Sequence, residues 1–538
     1  MLVIKYGLEM FFKTEYKKSP LFLMEIQTVD KVNSLFLHLL ISHKIWYTIY
    51  IIKEIVYMYY EKSKQLIEQQ RNQFQFVCLD DLVPNDHILK KIEKVIDFSF
   101  IHDLTRKYYS PDQGRACLDT VTLFKIPLLN YIMGKNSIRA TLEEAKVNMA
   151  FRWFLNIGLD SQVPNYSTFT QNYKRRYEGT DVFQKIFGVI VTKIIEMGFI
   201  DESSIFIDGT HIKANANKHK AIKKKVKEIA TVYQKEMEKE IDEYRELNGR
   251  DKFFDDNDSD GSNYTIDDET GEIKEKDNSK EKEITQSTID PDSGMFVKGE
   301  HERIFAYVDQ VACDKHGWIL GYDVNKGSMH DSKAFLPFFD KLNSQYNIEN
   351  IIVDAGYVSA QNAEYVLKHN IDFIAPYVRP KGKEQEFNKK KFDFYIESNS
   401  YLCPNNKELI PWNITKDGYI EYKINKVECG NCPNKERCLK NYNFKTIRRH
   451  LYEDCLEKAK EIRLSQKGKE LYPLRKTSIE RVFAEGKEKH GLRYTRYKSR
   501  QKNFDMRALL YACLNMKKLG NLIYEFPSYM KKVKQVWG

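Results

Sequence analysis

Two aspartates each follow a short, mostly β-branched run: Asp208 after "SSIFI" and Asp354 after "NIIV", 146 residues apart. Such runs read as buried strands, and a carboxylate at the end of one is costly unless something cationic sits against it. If the two strands are neighbours, the carboxylates converge at one sheet edge, where they repel unless a divalent cation neutralises them. Magnesium is the natural partner when the other ligands are phosphate oxygens. Spacing alone leaves open that both are unrelated strand-end caps.

A third carboxylate stands in "YPLRKTSIERVFAEGKEKHGLRYTRYKSR", as Tyr472-x2-Arg475-x4-Glu480-x6-Lys487. Helix positions seven apart lie roughly 20° apart around the axis, so Glu480 and Lys487 share a face, while Glu485 points roughly 140° away. Ile479, Val482, Phe483 and Gly486 form the adjacent apolar face. This puts Glu480 at the rim of a core beside a lysine, able to reach metal and phosphate. Thr477-x2-Glu480 equally reads as a capping box. Arg475, Arg481, Lys487, Lys489, Arg493 and Arg496 make a basic strip interleaved with Tyr494 and Tyr497. It suits DNA backbone contacts with base stacking, or a solvated helix and loop.

Four thiols crowd together as Cys403 and then Cys429-x2-Cys432-x5-Cys438. Four thiolates complete a tetrahedral structural zinc site, and Gly430, Asn431 and Pro433 supply a sharp knuckle. Nine cysteines in 538 residues do not make a disulfide scaffold, and their crowding points to a reducing compartment. The other five, such as Cys313 and Cys513, are expected in the core. "DNDSDGSNYTID" imitates a calcium loop, but Asn263 stands where an apolar residue belongs, so it reads as a solvated linker.

The elements that must position these groups fall into five segments. Residues 1–70 form an N-terminal extension with no sustained periodicity. Its apolar run from Val32 to Ile52 is broken by His38, His43 and Lys44 and makes a poor membrane span. The expectation is that translation starts near Met58 and that residues 1–57 are upstream sequence. The competing expectation is that the apolar run docks on the helical domain or on a second subunit. Residues 71–200 read as all-helical, with Asp86 as a cap, Leu142, Ala145, Met149 and Trp153 on one stripe, and a basic patch at Lys174, Arg175 and Arg176. Residues 201–380 give strand, strand, strand, helix, strand, helix, strand, a mixed α/β core. Its insertion at 215–300 is expected to hold a charged helix striped by Ile222, Val226, Ile229, Tyr233, Met237 and Ile241, then a flexible acidic stretch to about Glu283. Residues 381–470 carry the four thiols, and 471–538 the Glu480 helix and basic strip.

"FIDGTHIKANANKHK", "NKGSMHDSKAF", "IIVDAGYVS" and "IERVFAEGKEKHGLRYTRYKSR" resemble the DDE transposases of bacterial insertion sequences, above all insertion-sequence family eleven-eighty-two. "RATLEEAKVNMAFRWFLNIGLDSQVPNYSTFT" resembles that group's N-terminal domain, and the resemblance spans about residues 75–525. One departure from the Tyr-x2-Arg-x3-Glu-x6-Lys signature of the larger related group is that four residues, not three, separate Arg475 from Glu480. The resemblance implies a ribonuclease-H-like core with an all-α DNA-binding N-terminal domain. It implies that Asp208, Asp354 and Glu480 hold two Mg2+ (or Mn2+) ions for DNA strand cleavage and strand transfer. It further implies terminal repeats and target DNA as partners, a homodimer or higher assembly on DNA, and a cytoplasmic, nucleoid-associated location. His330-Asp331 matches a family motif, but a helix-capping role is the expectation for it. A net charge of +10 agrees with an anionic partner without demanding one. The alternatives are a non-catalytic DNA-binding protein derived from a transposase and a metal-dependent nuclease without strand transfer.

Overall fold

The computed structural model describes residues 31–538 apart from 75, 111–116, 136, 228–231, 255–263, 267–272, 276–280, 299–301, 377–385, 440–441 and 538. The calcium-loop mimic lies outside the described residues except for the short strand Tyr264–Ile266. The chain divides into two units, Met1–Cys78 and Leu79–Gly538.

In the first unit, Lys31–Asn72 is one continuous 42-residue helix, where the sequence showed no helical period. The reason is visible in its composition. No Gly or Pro interrupts it, so nothing ends the helix, yet apolar residues surround it. Ile45, Trp46, Tyr47, Ile49, Tyr50 and Ile51 are all exposed, so no stripe marks its face. Among the described residues, no helix is long and apolar enough to cross a membrane.

In the second unit, the elements described between 88 and 196 are all helical. His87, not Asp86, caps the first of them, accepting from Leu89 N at 3.3 Å. Asp119, Ser137 and Asn148 cap later ones. The stripe expected from Leu142 to Trp153 is split into Ile138–Ala145 and Met149–Phe154, because Asn148 starts a new helix. The basic patch lies on a π-helical turn, Tyr173–Tyr177.

The core is a sheet in the order β3-β2-β1-β4-β5, with β1 at Ser204–Lys213, β2 at Glu302–Cys313, β3 at Ile319–Lys326, β4 at Asn350–Ile352 and β5 at Asp372–Ile374. β1, β2 and β3 pair antiparallel, whereas β4 and β5 run parallel to β1. Gly294–Lys298 extends the sheet beside the start of β2. The helices α1 (Asp331–Asn343) and α2 (Ala360–Lys368) make the crossovers to β4 and β5. This mixed sheet with helices fits a ribonuclease-H-like core. The long C-terminal helix Arg500–Glu525 packs on β3 and on three helices of the 88–196 segment. It is pinned by the buried Arg507–Asp309 pair at 2.8 Å and by Tyr511 donating to Asp309 at 2.7 Å.

The first insertion departs from its expected helix. Ala221–Lys227 is a strand paired with Glu281–Ser287, Val232–Leu247 is helical, and Ile229 lies outside the described residues. Lys223 bonds Glu283, sixty residues away, at 3.3 Å. A local periodicity cannot see such a partner. The second insertion is a five-stranded antiparallel sheet from Asp393 to His450 with its own apolar core. Ile241, from the helix of the first insertion, is buried in that same core.

Candidate active site

Pairing between β1 and β4 ends at Phe206↔Ile352. Two residues further along each chain stand Asp208 and Asp354, so parallel register carries the two carboxylates to one place. Asp208 is not at the end of its strand. β1 continues to Lys213 because β2 pairs with it as far as Ala306, while β4 stops. Neither aspartate is a cap. Asp354 precedes a 3-10 turn at Ala355–Tyr357 and bonds it only through its carbonyl, which accepts from Tyr357 N at 3.1 Å, and Asp208 Oδ1 accepts only the adjacent Gly209 N–H at 2.8 Å.

Between them lies Arg475, which is buried. Its Nη2 donates to Asp208 Oδ2 at 2.8 Å and its Nη1 stands 3.3 Å from Asp354 Oδ1. The guanidinium thus spans both carboxylates where a cation is required. Arg475, expected in the DNA-binding strip, is thus buried, with both terminal nitrogens on the two carboxylates. Burial pushes the Asp208 carboxyl up to about 6, against the pull of Arg475, and the carboxylates of Asp354 and Asp331 push it the same way. Arg475 offsets much of the cost of a buried anion but not all of it.

Glu480 lies in the first turn of helix α3, Ile479–Lys489, five residues after Arg475, and its side chain is exposed. The capping box is not formed: Thr477 Oγ1 donates to Leu474 O, and Ser478 precedes the helix without a side-chain cap. Ile479 and Phe483 face the core as the helical spacing requires. Among the described residues, no three His, Cys, Asp or Glu are placed so that they could hold a metal ion, so Glu480 is not gathered in with the two aspartates. Glu485 is committed elsewhere, 3.9 Å from His490 and 3.5 Å from Lys517. The nearby His490 imidazole and the Lys517 charge hold its carboxyl down at about 2.

The rest of the strip remains at the surface. Arg481, Lys489, Arg493 and Arg496 are exposed, Lys487 is half-buried on the side of His211, and Arg493 is paired with Glu488. The segment is fastened to β1. Lys213 N donates to Arg493 O at 3.1 Å and Thr495 N to Lys213 O at 3.0 Å. Asn215 then bonds Arg496 O and Tyr494 Oη, each at 3.0 Å. The strand that carries Asp208 therefore also carries the basic segment.

The sequence reading undervalued Asp331. His330 takes the cap, its Nδ1 accepting from Ser332 N at 3.3 Å, which leaves the Asp331 carboxylate to face the aspartates. Gln310 Nε2 donates to Asp331 Oδ1 at 3.0 Å, and the buried Tyr357 hydroxyl donates to Gln310 Oε1. The available signal was Gly209 and Gly356, since glycine beside strand residues marks a close approach.

Cys403, Cys429, Cys432 and Cys438 line one cavity in the second insertion. Cys403 Sγ accepts from Lys407 N at 3.3 Å, which closes a tight turn. Burial pushes the Cys429 and Cys438 thiols up. The four gather around one space, although no three of them are set at metal-holding positions. Of the other five, Cys313 and Cys513 are buried, but Cys78 and Cys117 are exposed and Cys455 is half-buried.

Residues 77–175 match the family model of a transposase domain, DUF772, and residues 281–516 match that of a transposase DDE domain. The second span includes Asp354 and Glu480, while Asp208 lies upstream of it. No curated protein matches. The cryo-EM structure of a piggyBac transposase synaptic complex with hairpin DNA is similar at a TM-score of 0.26 and 8% identity, over 84% of this chain and 78% of that one, a level that carries no argument. Two transposase domain models, matched in order along one chain, support a DDE transposase of the insertion-sequence type.

Proposed function

We propose that the chain binds the terminal repeats of an insertion sequence and catalyses magnesium-dependent strand cleavage and strand transfer at Asp208, Asp354 and Glu480. The observation that carries this reading is Arg475 spanning Asp208 and Asp354. Two carboxylates held side by side by strand register, and neutralised by a buried cation, are a donor pair suited to a divalent ion. Magnesium, when bound, supplies the positive charge that activates a water or a 3′-hydroxyl and offsets charge on the attacked phosphate.

The chain's own residues do the positioning. Asp208 and Asp354 are fixed by the sheet, so little reorganisation is needed there. Glu480, exposed in the first turn of α3, has to close on them to complete the set, with Lys487 two turns on along the same face. Arg481, Lys489, Arg493 and Arg496 contact DNA phosphates, and Tyr494 offers a ring for stacking on a base. Because the basic segment is bonded to β1, DNA held there lies in register with Asp208. Cys403, Cys429, Cys432 and Cys438 hold a structural zinc ion, which leaves no open position for substrate. That reading requires the four thiols to close further about the cavity they line.

The test uses DNA bearing the element's ends, incubated with the purified chain and Mg2+ or Mn2+. Nicked and joined products are expected, and Asp208→Asn is expected to remove both. Nicking without joining would turn the reading to a nuclease. DNA binding without either would turn it to a non-catalytic derivative.

A further inference from the structure

Asp331 is the first residue of α1, where an acid usually serves the helix terminus. Its carboxylate does something else. A Cβ built on Gly209 would stand 2.9 Å from Asp331 Oδ1, and one built on Gly356 would stand 3.0 Å from Oδ2. Gly209 directly follows Asp208, and Gly356 is the second residue after Asp354. The carboxylate is therefore wedged between the backbone segments that carry the two aspartates, one oxygen against each. Its orientation is fixed from behind. Gln310 and Tyr357 are buried, and the Tyr357 hydroxyl on Gln310 Oε1 leaves Nε2 to donate to Asp331. An Ala at Gly209 would collide with the oxygen that this chain of bonds keeps from moving aside, and one at Gly356 would press on the other oxygen at tighter than ordinary contact.

From this geometry we infer that Asp331 is a positioning residue of the carboxylate site. It sets the spacing between the Asp208 and Asp354 segments and adds a further negative charge beside them, without itself touching the reacting groups. This rests on the reading of Asp208 and Asp354 as metal ligands. The helix-terminus role and the wedge role make opposite demands on one substitution. A helix N-terminus accepts glutamate as readily as aspartate. The wedge does not, since glutamate adds a methylene to a gap already near contact on both sides.

The experiment titrates the purified full chain with Mn2+ alone, reading free Mn2+ by electron paramagnetic resonance and melting temperature alongside. Asp331→Glu and Asp331→Asn are expected to bind Mn2+ roughly ten- to a hundredfold more weakly, as for a lost outer-shell partner. Asp331→Asn keeps the shape and is expected to melt as the wild type does. Gly356→Ala presses on the same carboxylate from the other side and is expected to weaken Mn2+ binding with Asp331 intact. Wild-type affinity in Asp331→Glu would overturn the inference and return Asp331 to the helix terminus. Asp354→Asn is the control: if it too binds Mn2+ as the wild type does, the metal reading of the aspartates fails and this inference falls with it.

Discussion

Replacing Arg475 by methionine keeps an unbranched apolar stem and removes the charged guanidinium head. Two contacts are lost, at 2.8 Å to Asp208 and 3.3 Å to Asp354. Breaking a buried pair usually costs about 3–5 kcal/mol because a charge is stranded. Here that figure is too large, for three reasons. Asp354 is more than half exposed, so its contact is worth about 1 kcal/mol or less. Asp208 escapes by taking a proton: its carboxyl already stands at about 6, and at pH 7 the penalty stops growing once it passes 7, about 1.4 kcal/mol further on. Removing the guanidinium also removes a buried Nε that has no hydrogen-bond partner, which returns part of the cost. The net is about 1–2 kcal/mol at neutral pH.

The sign follows from linkage. A carboxyl raised in the folded state disfavours folding as pH rises from its unfolded value of 3.8 toward 6, and by a constant amount above that. Arg475→Met raises it further, so the difference between variant and wild type is small at pH 5 and full at pH 8. Chemical denaturation of metal-free protein at these two values measures it. Mn2+ at pH 8 is expected to stabilise the variant more than the wild type, because no guanidinium has to be displaced. Equal stability at pH 8, with equal gain from Mn2+, would refute the idea that Arg475 takes the place of a cation between the aspartates.

Asp208→Asn, Asp354→Asn and Glu480→Gln are each expected to abolish cleavage and joining while retaining DNA binding in a mobility-shift assay. An active Glu480→Gln would remove that residue from the site. Glu485→Gln is expected to stay active but to melt lower at pH 7. The contribution of a carboxyl held at about 2 is present above its ordinary 4.5 and lost as pH falls through 2, so the deficit should shrink in melts toward that acid limit. Metal analysis is expected to find one zinc per chain, falling below half in Cys429→Ser/Cys432→Ser. A zinc-free wild type would dismiss the thiol site.

What the sequence made legible was what is local. Asp208 and Asp354 could be picked out because each follows an apolar run that only a buried strand explains. Outside the first insertion, the order of strands and helices from Ser204 to Ile374 was readable because each element is sharply bounded. Arg475 was harder. Its side chain reads as one more cation of a basic strip until the fold turns it inward, and no spacing rule reports which way an arginine points. Asp331 was hidden by His330: either residue can cap a helix, and only the partner of each side chain decides which one does. The helix Lys31–Asn72 escaped because periodicity detects a buried face, and this helix presents apolar residues all round.

The two insertions show the same limit on a larger scale. Read along the chain, they are separate excursions, one charged and one cysteine-bearing. In space they meet, since Ile241 of the first is buried among Phe392, Tyr401, Leu409 and Tyr422 of the second. Long excursions cost little to close, because loop entropy grows only as the logarithm of length. A sheet this small gains more by borrowing an apolar helix face than it loses by waiting for one from 150 residues away. The narrow stripe then acquires its meaning: Met237 and Ile241 cover the five-stranded sheet, while Tyr233 at its start packs on the main core and donates to Asp340. A substitution at Ile241 should accordingly disturb the cysteine cavity before it disturbs the aspartates, which sit on a different core.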